Sequence, residues 1–149
     1  MEGPMAIKAL LKQDGRGVIT IEGNATVGEA LWILQQAGAG ALVVSDNGRD
    51  IRGLVSGHDL IRAFKSHGVD PLMPMTVAGI MRRDIVICRP DESLRRVMAR
   101  MTARGLGHVA VVDETGPCGV LSLADILKGR LQWARAEVDA LCNGMVLPA

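Results

Sequence analysis

The 149-residue chain repeats its own pattern once. Val18-Ile-Thr-Ile21 aligns with Ile85-Val-Ile-Cys88 at an offset of 67, and both read as short β-branched strands. On the same offset Thr26 meets Ser93, two residue types that cap helix starts. Apolar runs short enough to be buried strands follow at Ala41-Leu-Val-Val44 and Val109-Ala-Val-Val112. Turns come next at Asp46-Asn-Gly48 and Asp113-Glu-Thr-Gly116, where one residue fewer changes the offset to 66. Third strands at Gly53-Leu-Val55 and Gly119-Val-Leu121 then end in matching corners, Ser56-Gly-His-Asp59 and Ser122-Leu-Ala-Asp125, each opening a helical pattern. A unit of roughly 60 residues is marginal alone because it buries little surface, and two copies packed sheet to sheet would share a core.

Helical periodicity agrees with the repeat. Val27, Ala30, Leu31 and Leu34 share one face of the helix from Thr26, and Leu94, Val97, Met98 and Met101 share the equivalent face from Ser93. Gly38 and Gly105 stand where left-handed C-caps belong. A short helical lead-in precedes each repeat, Ile7 to Leu11 and Val77 to Met81. The Gly- and Pro-containing stretch from His67 to Pro74 reads as the linker, dividing the chain into repeats 1–70 and 71–149. After the second corner, helix continues to about Leu141. Along it Leu127, Leu131, Ala134, Val138 and Leu141 form a coiled-coil-like seam, suited either to a dimer contact or to the body of the same chain.

Composition excludes several classes. Seventeen basic and 16 acidic residues leave a net charge of +1, and aromatics are 2% of the chain. Neither an electrostatic footprint for nucleic acid nor a stacking platform is present. The longest apolar run falls short of a membrane span, and Met5 to Leu11, broken by Lys8, is not a signal peptide. Cys88, Cys118 and Cys142 are odd in number and sit in or near apolar stretches, which fits reduced, partly buried thiols of a cytoplasmic protein. They and the three histidines lack metal-ligand spacing, so no metal site is expected. Gly38-Ala-Gly40 and Gly15-Arg-Gly17 lead into strands rather than helices and are not phosphate loops. No nucleophile–base pair emerges, so the chain is not expected to be an enzyme.

In this order, the pieces resemble a tandem pair of cystathionine β-synthase (CBS) domains. The resemblance rests on the capped helix, the Val-Val strand and the Gly-h-h-Ser-x-x-Asp-h corner (h apolar), each present twice between about residues 6 and 141. Gly38-Ala-Gly-Ala-Leu-Val-Val-Ser-Asp46, Thr76-Val-Ala-Gly-Ile-Met81 and Arg83-Asp-Ile-Val-Ile-Cys88 resemble more narrowly the small stand-alone bacterial members. The implied fold class is α/β (α+β): two βαββα repeats packed sheet to sheet with pseudo-twofold symmetry. The implied function is regulatory energy sensing, in which AMP, ADP or ATP, or NAD or S-adenosylmethionine, occupies clefts between the repeats. A homodimer and a regulated protein partner are implied as well.

The corners suit that chemistry. Asp59 and Asp125 can accept from ribose hydroxyls, and Ser56 and Ser122 can donate to phosphate beside a helix N-terminus. Ile19, Ala41, Leu42, Ile85, Val86, Val109 and Ala110 can line a slot for the base. His58, on the first corner's helix, and Arg82, where relatives have threonine, can reach phosphate; the linker His67 reads as solvated. His108 precedes the second repeat's middle strand, and Ala41 takes the matching place in the first, so the second corner is the expected nucleotide site. Against this stands a plainer reading: Ser-x-x-Asp is a capping box, and the chain is a ligand-free scaffold or dimerisation module.

Overall fold

The structure is a computed structural model that describes residues 5–14 and 17–142, without the side chains of 12–14. Gly15 and Arg16 of the first glycine stretch, and the last seven residues of the second repeat, lie outside the described residues. In chain order the elements are α1 (Ile7–Asp14), β1 (Thr20–Ile21), α2 (Val27–Ala37), β2 (Ala41–Val44), β3 (Gly53–Ser56), α3 (Gly57–His67) and α4 (Val69–Leu72). They continue with α5 (Val77–Ile80), β4 (Val86–Cys88), α6 (Leu94–Arg104), β5 (His108–Asp113), β6 (Gly116–Ser122) and α7 (Leu123–Cys142).

Two three-stranded sheets result, ordered β1-β2-β3 and β4-β5-β6. In each, the first pair is parallel and the second antiparallel. A parallel pair needs a crossover, and the two capped helices supply it. Thr26 Oγ1 accepts from the Glu29 amide at 3.1 Å to start α2, and Ser93 Oγ accepts from the Arg96 amide at 3.2 Å to start α6. Both helices stop at a left-handed glycine, Gly38 (φ 61°) and Gly105 (φ 63°), where a side chain would strain the backbone.

Strand pleating then sorts side chains to two faces. Leu42, Val44 and Val55 enter the first repeat's core, whereas Val43 and Leu54 meet Ala110 between the two sheets. That thin inter-sheet layer, with Val18, Ile85 and Val120 at its margin, holds the repeats together.

The lead-in helices change places. Ile7 and Leu10 of α1 are buried among Leu94, Val97, Met101 and Ile126 of the second repeat. Leu72, Val77 and Met81 are buried among Val27, Leu34 and Leu60 of the first. The backbone mirrors the exchange: the Ile7 amide donates to the Glu92 carbonyl at 2.9 Å, and the Val77 amide donates to the Ala25 carbonyl at 2.8 Å.

The stretch 67–74, expected as the linker, holds the end of α3 and the one-turn helix α4, with Leu72 buried. Two sequence expectations need correction. The α7 seam does not pack on its own body: Leu127, Leu131, Val138 and Leu141 are exposed, and Ile126, Gly129 and Ala140 are buried instead. The three thiols are not uniformly part-buried. Cys88 is buried, Cys118 intermediate and Cys142 exposed. Among the described residues no helix is long and apolar enough to cross a membrane.

Candidate functional site

Both corners fold as reciprocal caps. Asp59 Oδ2 accepts from the Ser56 amide at 2.9 Å and from Ser56 Oγ at 3.0 Å, while the Asp59 amide donates back to Ser56 Oγ at 3.4 Å. At the second corner Asp125 Oδ2 accepts from the Ser122 amide at 2.9 Å, and Ser122 Oγ accepts from the Asp125 amide at 3.0 Å. Free N–H groups at a helix start are thereby satisfied within the chain. The Ser56 hydroxyl, expected at a phosphate, here donates to Asp59.

Surroundings distinguish the two carboxylates. Asp59 is 5% exposed, and its Oδ1 stands 3.5 Å from both Arg62 Nη1 and Arg82 Nε. Asp125 is exposed. Arg82 reaches Asp59 because its backbone is fastened to the free edge of β3: the Leu54 amide donates to the Arg82 carbonyl at 3.0 Å, and the Arg82 amide to the Leu54 carbonyl at 2.8 Å. Gly53 permits this approach, since a Cβ there would lie 2.6 Å from the Arg82 carbonyl oxygen.

Each corner faces the other repeat. The first cleft, about 460 Å³, sets Ser56, His58 and Asp59 against Arg82, Ile85 and His108. The second, about 530 Å³, sets Ser122 and Asp125 against Ile19 and Ala41. His108 and Ser122 line both, as opposed residues of β5 and β6. Both volumes fall in the range of small-molecule pockets, roughly 300–1,000 Å³. His108 thus lines the second cleft, where it was expected, and the first cleft as well. Each cleft joins a corner of one repeat to a strand of the other, so His58, Arg82 and His108 gather round Asp59.

Burial holds the His108 imidazole below its usual pKa of 6.5; Asp59 and Asp125 oppose that shift, and His58 and Arg82 add to it. Among the predicted slot residues, Leu42, Val86 and Val109 are sealed in the repeat cores, and Ala110 lies in the inter-sheet layer. Pleat parity explains this: adjacent strand residues point to opposite faces, so 42, 86 and 109 turn away when 41, 85 and 108 turn inward. Sequence reading missed Arg62, Asp84 and Leu106 in the first cleft and Val18, Gly38 and Val120 in the second. The repeat offset itself was the available signal, since it maps Leu54 and Leu106 onto Val120 and Ala39. The solvated reading of His67 matches its exposure.

Comparison with known proteins decides the family. The CBS domain model matches twice, at residues 15–66 and 77–131. This chain belongs to the CBS-domain family. A CBS-domain protein of Agrobacterium tumefaciens superposes with a TM-score of 0.76 at 29% identity, covering 85% of this chain and 99% of that one. The CBS domain pair of protein MJ0100, solved with 5′-methylthioadenosine and S-adenosyl-L-methionine, gives a TM-score of 0.72 at 23% identity and shares the fold, covering 88% and 98%. Protein MJ0188 of Methanocaldococcus jannaschii is 28% identical over 77% of this chain, which spans only 41% of that protein's length. The expected mixed α+β pair of CBS repeats is thus the fold observed.

Proposed function

We propose that this chain is a non-catalytic regulatory CBS pair that binds an adenosyl ligand between its repeats. The observation that carries the reading is the construction of the clefts: each joins a carboxylate-bearing helix start to an apolar strand of the opposite repeat. A carboxylate accepts from a ribose diol, and the apolar strand suits a base. AMP, ADP, ATP, NAD and S-adenosylmethionine all contain this adenosyl unit; the ligands bound to protein MJ0100 contain it too. Because a cleft ligand touches both repeats, it favours whichever repeat orientation fits it better. Exposed Leu31, Ile61, Phe64 and Val69 on α2, α3 and α4, together with the α7 seam, support a homodimer through which that change is passed to a regulated protein. Free thiols at 88, 118 and 142 support a reducing, cytoplasmic setting.

Thermal melting of the full chain with AMP, ATP and S-adenosylmethionine tests the reading. A ligand present at a hundred times its Kd adds about 2.7 kcal/mol, which raises Tm by roughly 5–10 °C for a chain of this size. No shift with any adenosyl compound sinks it. One observation favours a second reading, a ligand-free scaffold: the capping boxes are complete without a ligand. On that reading Asp59→Ala and Asp125→Ala lower stability by about 1 kcal/mol and alter no ligand response.

A further inference from the structure

We infer that the two clefts divide ligands by charge, the first taking the phosphate of a nucleotide and the second an uncharged adenosyl compound. The inference rests on the adenosyl reading and deepens it. In the first cleft the guanidiniums of Arg62 and Arg82 face a single oxygen of Asp59, both at 3.5 Å. At that distance neither closes a short hydrogen bond to it, and both residues line the cleft. The other carboxylate on this wall, Asp84, is paired with Arg104. Two acids therefore meet three guanidiniums, with the imidazoles of His58 and His108 on the same walls. The two-bond attachment of Arg82 to Leu54 fixes the backbone that carries one of these cations beside the cleft.

Across the repeat, no lysine or arginine among the described residues lines the second cleft. The offsets of 66 and 67 carry His58 to Ala124, His108 to Ala41 and Asp84 to Gly17. Arg62 maps to Lys128, which is exposed on α7 and off the cleft wall. Among the described residues the charged group lining the second cleft is Asp125, joined by the shared His108. Its exposed carboxylate repels phosphate and accepts from hydroxyls. Gly17, Gly38 and Gly40 leave that wall flat enough for a ring to lie against the backbone.

Titration calorimetry on the full chain separates the alternatives, with ATP as the charged probe and 5′-methylthioadenosine as the uncharged one. The double variant R62Q/R82Q is expected to weaken ATP roughly ten- to a hundredfold while leaving 5′-methylthioadenosine within about twofold. D125N, which keeps a capping oxygen, is expected to do the reverse. In the wild type, ATP affinity falls with added salt and 5′-methylthioadenosine affinity does not. Circular dichroism of each variant verifies folding. Should the double variant fail to fold, R82Q alone and the salt series make the same test. Unchanged ATP binding in R62Q/R82Q, or loss of ATP in D125N alone, overturns the division by charge and leaves the adenosyl reading standing. If neither probe binds the wild type, the adenosyl reading falls, and the inference with it.

Discussion

His108 is one side chain that lines both clefts. It sits where the clefts meet, opposite Ser122, and burial makes its protonation unfavourable in the folded chain. The unfolded chain protonates this histidine near its usual 6.5, whereas the folded chain resists to lower pH. Its contribution to stability is thus full above 6.5 and is lost as pH falls toward the depressed folded value. Urea melts are expected to show a steeper stability loss below pH 6.5 for the wild type than for His108→Asn. A steeper loss in the variant would reverse the assigned sign. The thiols offer a second measurement at this scale. Burial pushes Cys88 up to about 12, and burial with the nearby Asp113 carboxylate raises Cys118, while Cys142 is exposed. Since the thiolate is the reactive form, iodoacetamide at neutral pH is expected to label Cys142 first and Cys88 only on unfolding. Mass-mapped labelling of Cys88 in the native chain would contradict its placement in the core.

At the level of elements, Gly53 and Gly119 hold equivalent places at the starts of the runs that lead to the corners, yet they face different neighbours. A Cβ at Gly53 meets the Arg82 carbonyl at 2.6 Å, a backbone atom pinned by two hydrogen bonds. At Gly119 it meets Leu11 Cδ2 at 2.5 Å, the end of a side chain that can rotate. Gly53→Ala is therefore expected to cost about 1–3 kcal/mol and to release Arg82 from the cleft, with Gly119→Ala costing less. Equal losses in chemical melts would show that the Leu54–Arg82 attachment is not the constraint. The attachment also marks the limit of what the amino-acid order disclosed. Strands, crossover helices, both glycine caps and both corner boxes were legible because each depends on neighbours within a few residues. Arg82 and His58 were legible as phosphate contacts, but their grouping round Asp59 with Arg62 was not. Arg82 is 23 residues from Asp59, and only the packing of one repeat on the other brings them together. The slot failed for a smaller reason: choosing both 41 and 42, or both 85 and 86, ignored the alternation of a strand. The α7 seam was visible as a stripe, but its direction depended on Gly129, whose bare backbone lies against Leu10 and Leu94.

Exchange of the lead-in helices ties the whole molecule together. Divided by chain order, the repeats look like two beads; divided by packing, each core is finished by a helix that precedes the other repeat. Ile7 is fully buried in the second core and Val77 fully buried in the first. Truncating a buried branched side chain to alanine removes transfer energy and leaves a cavity, together roughly 2–5 kcal/mol for isoleucine. Ile7→Ala is thus expected to loosen β4, β5 and β6, far along the chain, before β1, β2 and β3. Val77→Ala should do the opposite. Native-state hydrogen exchange reads this directly, because amides protected by sub-global opening report the local unit rather than the average. Loss of protection in the sequence-adjacent sheet instead would mean that the helices stabilise their own repeats. The layer between the sheets holds no residue of either helix, so the exchange completes the two cores and leaves that layer to the strands.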